Sequence, residues 1–177
     1  HVAGPLNFGI AVLGAGGEII LPSPAGMRNP DIVANHWKLV EKYRPTFIGG
    51  IPTSLAAILN VPLGESDISS VSCCMTGGAP LPREMARSFE ERFGVPIHEV
   101  YGMTECSGVI AITPTSRPRK PGYSGMRLPH EQIEVRAVGS DGSVGQALAA
   151  GESGVVVING PHVFAGYRST EHSAGVF

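Results

Sequence analysis

A hydroxyl and a carboxylate stand side by side at the end of Tyr101-Gly102-Met103-Thr104-Glu105, directly after a stretch at 96–100 that reads as a strand. Such a pair can hold a phosphate oxygen and a Mg²⁺ ion together, because Mg²⁺ takes hard oxygen ligands and shares them with substrate phosphates. Tyr101 adds an aromatic face. A second glycine-rich segment, Thr76-Gly77-Gly78-Ala79-Pro80-Leu81, follows a strand-like run at 71–75. Gly77 and Gly78 carry no Cβ, so their backbone N–H and C=O groups are expected to meet a planar ligand directly. Either segment alone reads as an ordinary strand-to-helix turn. Other chemistries find less support. No GxxxxGK[ST] phosphate loop occurs, and His36, His98, His130, His162 and His172 are scattered without i, i+4 pairing, so a histidine metal site is not expected. Cys106 adjoins Glu105 but has no histidine neighbour in sequence to activate it.

Both segments need a scaffold, and the first hundred residues supply one by alternating helix-like and strand-like stretches. Leu6 to Leu13 is apolar and closes at Gly14, Gly16 and Gly17, with a short strand expected over Glu18–Leu21. Asn29-Pro30-Asp31 has the composition of a helix start: a capping side chain, proline in the first turn and an acid near the positive helix end. One broad apolar face then runs through Ile32, Val33, His36, Trp37, Leu39, Val40 and Tyr43, and Pro45 ends the helix. Thr46-Phe47-Ile48 reads as a buried strand, and Pro52 opens a short helix. Pro82 starts another, with Met85, Phe89 and Phe93 on one face and Gly94 as its left-handed cap. Strands and helices in this order imply right-handed βαβ units, hence an α/β fold with a parallel sheet flanked by helices. Ligands bind at the carboxyl ends of such strands, where both glycine segments fall.

The character changes beyond about residue 116. Residues 117–125 are rich in proline, glycine and basic side chains and read as a linker. Alternation over 131–138, a turn at Asp141-Gly142 and an apolar run at 154–158 suggest strands. The expected division is an incomplete α/β subdomain over 1–116 and an incomplete β-rich subdomain over 117–177. Composition agrees with a turn-rich globular chain: of 177 residues, 24 are glycine and 15 proline, 42% are hydrophobic and the net charge is −2. That balance excludes a basic nucleic-acid-binding face, and no apolar stretch reaches the ~18 residues of a membrane helix. Cys73, Cys74 and Cys106 form neither an even framework nor a CxxC pair, which suits reduced cysteines and a cytoplasmic location. The chain opens at His1 without a signal-peptide pattern and reads as an excised piece.

Taken together, Gly77-Gly78-Ala79-Pro80-Leu81 and Tyr101-Gly102-Met103-Thr104-Glu105 resemble the core of the adenylate-forming superfamily, which includes acyl- and aryl-CoA synthetases, peptide-synthetase adenylation domains and luciferases. Further segments resemble it in the same order. His1-Val2-Ala3-Gly4 is similar to its PxFHxxG segment, and Gly50-Ile51-Pro52-Thr53 to its GVPT turn. Gly122-Tyr123-Ser124-Gly125 with Pro129 and Glu131 is similar to GxxGxxxPxxE. Gly151-Glu152-Ser153-Gly154, Gly160-Pro161 and Gly166-Tyr167 are similar to GExGxxxxxGPxxxxGY.

The resemblance implies roles residue by residue. Gly77, Gly78, Ala79 and Pro80 would line the adenine and the acyl carbonyl end. Tyr101 would stack on adenine, with Glu99 and Val100 beside its edge and Gly102 opening the backbone. Thr104 would bind the α-phosphate and Glu105 the Mg²⁺, as the catalytic pair. Ser107, Gly108 and Val109 would lie along the acyl pocket, with His1 near its entrance. Glu99 stands where many relatives carry Gln. The implied reaction consumes ATP and a carboxylic acid, passes through an acyl-AMP and ends on CoA.

The family's phosphate loop would precede His1, and its TGD segment, hinge and C-terminal lysine would follow Phe177. The chain is therefore expected to be an internal piece of a synthetase, inactive alone and able to pair with a second copy through uncovered apolar faces. His1-Val2-Ala3-Gly4 is similar to the CoA-ligase form rather than the amino-acid-activating form, and small apolar residues at Gly108 and Val109 suit an acyl or aryl group, with a fatty acid preferred. Aryl-CoA ligases, peptide-synthetase adenylation domains and a non-catalytic nucleotide-binding or scaffold domain remain as alternatives.

Overall fold

The structure, a computed structural model, describes residues 3–120 and 122–173. A π-helical segment, Ala3–Ile10, runs into a short α1 (Ala11–Gly14). The stretch Glu18–Leu21 follows in irregular conformation and joins no ladder, so the strand expected there does not form. Its side chains explain the outcome: Leu21 is 81% exposed and Ile20 37%, so no buried face holds them in register.

Helices α2 (Pro30–Ala34) and α3 (His36–Tyr43) divide the stretch expected as one helix. The start is as the sequence indicates, with Asn29 Oδ1 accepting from Asp31 N at 2.9 Å. The break has a local cause. Both the backbone N–H and the side-chain Nδ2 of Asn35 donate to Asp31 O, each at 3.0 Å, and Asn35 leaves helical geometry at φ −104°. An asparagine amide that competes for its own helix's carbonyl ends turns in this way. Helix α3 still presents Trp37 and Val40 to the interior.

Strands β1 (Phe47–Gly50), β2 (Cys73–Gly77) and β3 (Ile97–Met103) are parallel neighbours. Helix α4 (Pro52–Leu59) follows β1, and α5 (Arg83–Phe93) joins β2 to β3, with Gly94 capping it at φ +68°. The register Ile48↔Cys74↔Ile97 aligns one side chain from each strand on one face. There they pack with Trp37, Val40, Leu55, Ile58, Phe89 and Phe93 as a single core. Trp37 and Phe93 lie 4.2 Å apart between ring centroids, and the indole N–H donates to Val61 O at 3.2 Å, so its buried polar end is satisfied. On the opposite face Phe47 stacks on Phe8 of the N-terminal segment at 6.1 Å. Helical segments thus flank the sheet on both faces.

The sheet is mixed rather than wholly parallel. Strands β4 (Gly108–Ile112) and β5 (Met126–Arg127) extend it antiparallel in the order β1-β2-β3-β4-β5. The run Val109–Ile112 follows β3 too closely to allow a helical crossover, and a chain reversal can only pair antiparallel. Strand β5 lies beyond residue 116, so the first sheet takes its last strand from the second half of the chain. A second antiparallel sheet, β7-β6-β8, is built from β6 (Gln132–Val138), β7 (Val144–Ala147) and β8 (Val155–Asn159). A one-turn α6 (Thr170–Ser173) ends the described chain. The intervening linker is pinned: Arg119 forms an ion pair with Glu90 on α5 and donates to Ile97 O at 3.2 Å.

Candidate functional site

Because β2 and β3 are parallel, with Thr76↔Glu99 and Gly77↔Val100 in register, both glycine-rich segments lie at the same end of the sheet. The second is not the turn its sequence suggests: Tyr101, Gly102 and Met103 continue β3 and pair with Ala111, Val109 and Gly108 of β4, so the chain turns only at Thr104. Gly78, Ala79, Pro80 and Thr104 are exposed there, and Gly77, Val100, Tyr101, Gly102 and Glu105 are half-buried. Glu99 and Tyr101 share a strand face by alternation. Ser107 is exposed, Gly108 buried and Val109 half-buried at the entry to β4. His1 lies outside the described residues.

The glycines prove to have distinct reasons. A Cβ on Gly77 would come within 2.5 Å of Val100 O, and one on Gly102 within 1.9 Å of Gly108 O. These two residues are small so that β3 can lie against its neighbours on either side. Gly78 differs: its surroundings are open, with Ile51 Cγ2 nearest at 3.8 Å, but its φ of +79° is a conformation that side chains resist. Of these three glycines, only Gly78 combines exposure with a positive φ.

Glu99 is already engaged. Its Oε1 accepts from Gly122 N at 3.0 Å, so the linker reaches the edge of the turn cluster. Cys106 is buried at 4% exposure, and burial pushes its thiol pKa up, with the charges of Glu131 and Glu105 adding to the effect. It is held as a thiol, which argues against a nucleophile at this position.

Glu105 occupies a short 3₁₀ turn, Thr104–Cys106, that closes with Ser107 N donating to Thr104 O at 3.0 Å. The Tyr167 hydroxyl donates to Glu105 Oε1 and holds this carboxyl below its usual range, while the same bond raises the phenol. The group facing the site is therefore an ionised carboxylate and its partner a protonated donor. Among the described residues no set of three acidic, histidine or cysteine side chains converges to hold a metal. A single carboxylate beside a hydroxyl suits Mg²⁺ carried in on a phosphate-bearing substrate, since that ion keeps waters and phosphate oxygens for most of its shell.

Tyr167 did not emerge from the residue chemistry, because it lies 62 positions from Glu105. Its only signal in sequence was the Gly166-Tyr167 pair. Two further contacts from the same segment were equally hidden: Phe164 N donates to Glu105 O at 2.8 Å, and Ser107 Oγ to His162 O at 2.9 Å.

Comparison with known proteins bears on this arrangement. The profile of a family described as AMP-binding enzyme matches residues 1–168. The chain is 32% identical over 168 residues to marinolic acid–CoA ligase of Pseudoalteromonas sp. (strain SANK 73390), covering 95% of this chain and 26% of that protein. It is 35% identical over 176 residues to feruloyl-CoA synthase of Amycolatopsis sp., covering 94% of this chain and 33% of the relative. Among solved structures, ATP-bound MatB from Rhodopseudomonas palustris is similar with a TM-score of 0.80 and 28% identity, over 98% of this chain and 32% of the other. The chain thus spans about a quarter to a third of the length of the curated relatives it matches.

Proposed function

The chain belongs to the AMP-binding enzyme family, and on that premise we propose that it is the central part of an ATP-dependent CoA ligase. The observation that carries this reading is that both glycine-rich segments lie at one sheet end, with an ionised Glu105 beside the exposed Thr104. In the proposed reaction a carboxylate oxygen attacks the α-phosphorus of ATP and pyrophosphate leaves. The sulfur of CoA then attacks the acyl carbonyl, AMP leaves with the C–O bond electrons, and the thiol proton passes to solvent. Positioning and charge neutralisation supply most of the acceleration in phosphoryl transfer.

Each residue has a part. Tyr101 stacks on adenine, with Glu99 and Val100 along its edge and the backbone of Gly77, Gly78, Ala79, Pro80 and Gly102 around it. Thr104 donates to the α-phosphate. Glu105 holds Mg²⁺, which when bound neutralises phosphate charge. Ser107, Gly108 and Val109 face the acyl group, and His1 stands at its entrance. Gly108 and Val109, both small and apolar, support an acyl or aryl group, with a fatty acid the preferred substrate, although the similar proteins named above are a marinolic acid–CoA ligase and a feruloyl-CoA synthase. Free thiols at Cys73, Cys74 and Cys106 fit a cytoplasmic setting. Pairing of two copies through exposed apolar residues such as Ile10 and Leu13 is part of the same proposal.

The test is ATP–pyrophosphate exchange by the full-length protein across fatty, aryl and short carboxylic acids. Exchange stimulated by a fatty acid supports the whole reading, and exchange only with aryl acids corrects the substrate. Absence of exchange with every acid, together with tight AMP binding, would leave a nucleotide-binding domain without chemistry. Tyr101→Ala is expected to weaken AMP binding by roughly 10-fold, in line with ~1–3 kcal/mol for a base stacked on an aromatic ring. Unchanged affinity in a titration would remove Tyr101 from the adenine site.

A further inference from the structure

The segment beyond β8 returns to the Thr104–Ser107 turn and grips it at three points. Phe164 N bonds to Glu105 O and Ser107 Oγ to His162 O, while the Tyr167 hydroxyl reaches the Glu105 side chain. Behind the strap, His162 Nε2 lies 3.2 Å from Oε1 of Glu131, a carboxylate only 4% exposed. The Tyr167 ring is fixed independently of its hydroxyl. It stands edge-on to Phe164 at 4.8 Å and to His172 at 6.4 Å, and its backbone N donates to Ser173 Oγ at 2.9 Å.

These contacts do little for packing, because Tyr167 is 39% exposed. They do fix one carboxylate. Glutamate on a surface turn samples several rotamers, and each must be frozen before the group can serve as a ligand. A hydroxyl bound to Oε1 selects one rotamer in advance and leaves Oε2 as the second oxygen of the same group. Outer partners of this type orient a ligand and tune its affinity for a cation.

We propose that Tyr167 is a positioning residue, which orients the Glu105 carboxylate toward the divalent cation of the nucleotide substrate. The inference rests on the reading of Glu105 as the cation-facing group. It also gives a purpose to the 160–167 strap that follows β8.

Tyr167→Phe keeps the ring contacts and removes only the hydroxyl. The probe is Mn²⁺, titrated by electron paramagnetic resonance into the full-length protein with an ATP analogue that cannot be cleaved between the α- and β-phosphates. The expected result is a Mn²⁺–nucleotide affinity lowered roughly 10-fold, within the range for loss of an outer-shell partner. The thermal midpoint should stay at the wild-type value. In exchange assays KM for Mg-ATP should rise more than kcat falls. Wild-type affinity in Tyr167→Phe would overturn this inference alone. Loss of affinity together with a lowered midpoint would also overturn it, since the hydroxyl would then be structural. If instead Glu105→Gln binds Mn²⁺–nucleotide as well as wild type, the assignment of Glu105 fails and the inference falls with it.

Discussion

Gly102 sits where β3 passes β4, and the carbonyl of Gly108 occupies the space a methyl group would need. The obstacle is backbone, which cannot rotate away as a side chain can. Gly102→Ala should therefore destabilise the fold by about 1–3 kcal/mol, the usual cost of overpacking, read as a lower urea midpoint. Gly78→Ala makes only an ordinary contact with Ile51 Cγ2 and pays for its φ, about 1–2 kcal/mol, and it should fold with altered nucleotide affinity. A third residue makes stability depend on pH. Burial lowers His36 from 6.5 to about 4, and its Nε2 has no hydrogen-bond partner. The folded state keeps this imidazole neutral while the unfolded chain protonates below about 6.5. The unfolded state thus binds the extra proton between those values, and stability falls as pH drops from 6.5 to about 4. The loss attributable to His36 is at most about 3 kcal/mol. His36→Phe should flatten that part of a pH series of urea melts; an unaltered slope would assign the dependence to other groups.

The elements divide by whether their signals are local. Asn29 as a cap, prolines in the first turns of α2 and α4, and Gly94 as a left-handed terminator each act within a few residues, and all were legible in sequence. Helix α5 was legible for the same reason, and Phe89, fully buried against Phe93 and near Trp37, should cost about 3–5 kcal/mol as Phe89→Ala in a chemical melt. Other boundaries depended on distant partners. Strand β2 begins at Cys73 rather than Val71, where Phe47 first offers it a ladder partner. Glu18–Leu21 has strand-like composition but no neighbour to pair with. Asn35 divided a helix that its apolar face alone would have continued. Strand β4 was hidden for another reason: Ser107-Gly108-Val109 invited a pocket-lining reading, and the left-handed Ser107 that reverses the chain carries no strong signal of its own.

At the scale of the whole molecule, the two glycine segments could be proposed as one site from sequence because each carries its residues within a short stretch at a strand end. The strap that reaches Glu105 could not, since it joins positions that only the tertiary fold brings together. That separation has a kinetic side. The β3–β4 reversal is of low contact order and closes cheaply, so Tyr101, Thr104 and Glu105 are expected to take up their turn early in folding. Tyr167 follows Glu105 by 62 positions. At translation rates of ~5–20 residues per second, a nascent chain would display the carboxylate for roughly 3–12 s before the phenol emerges to restrain it. This end of the sheet is thus expected to form in two stages, the Thr104–Ser107 turn first and its contact with Tyr167 second.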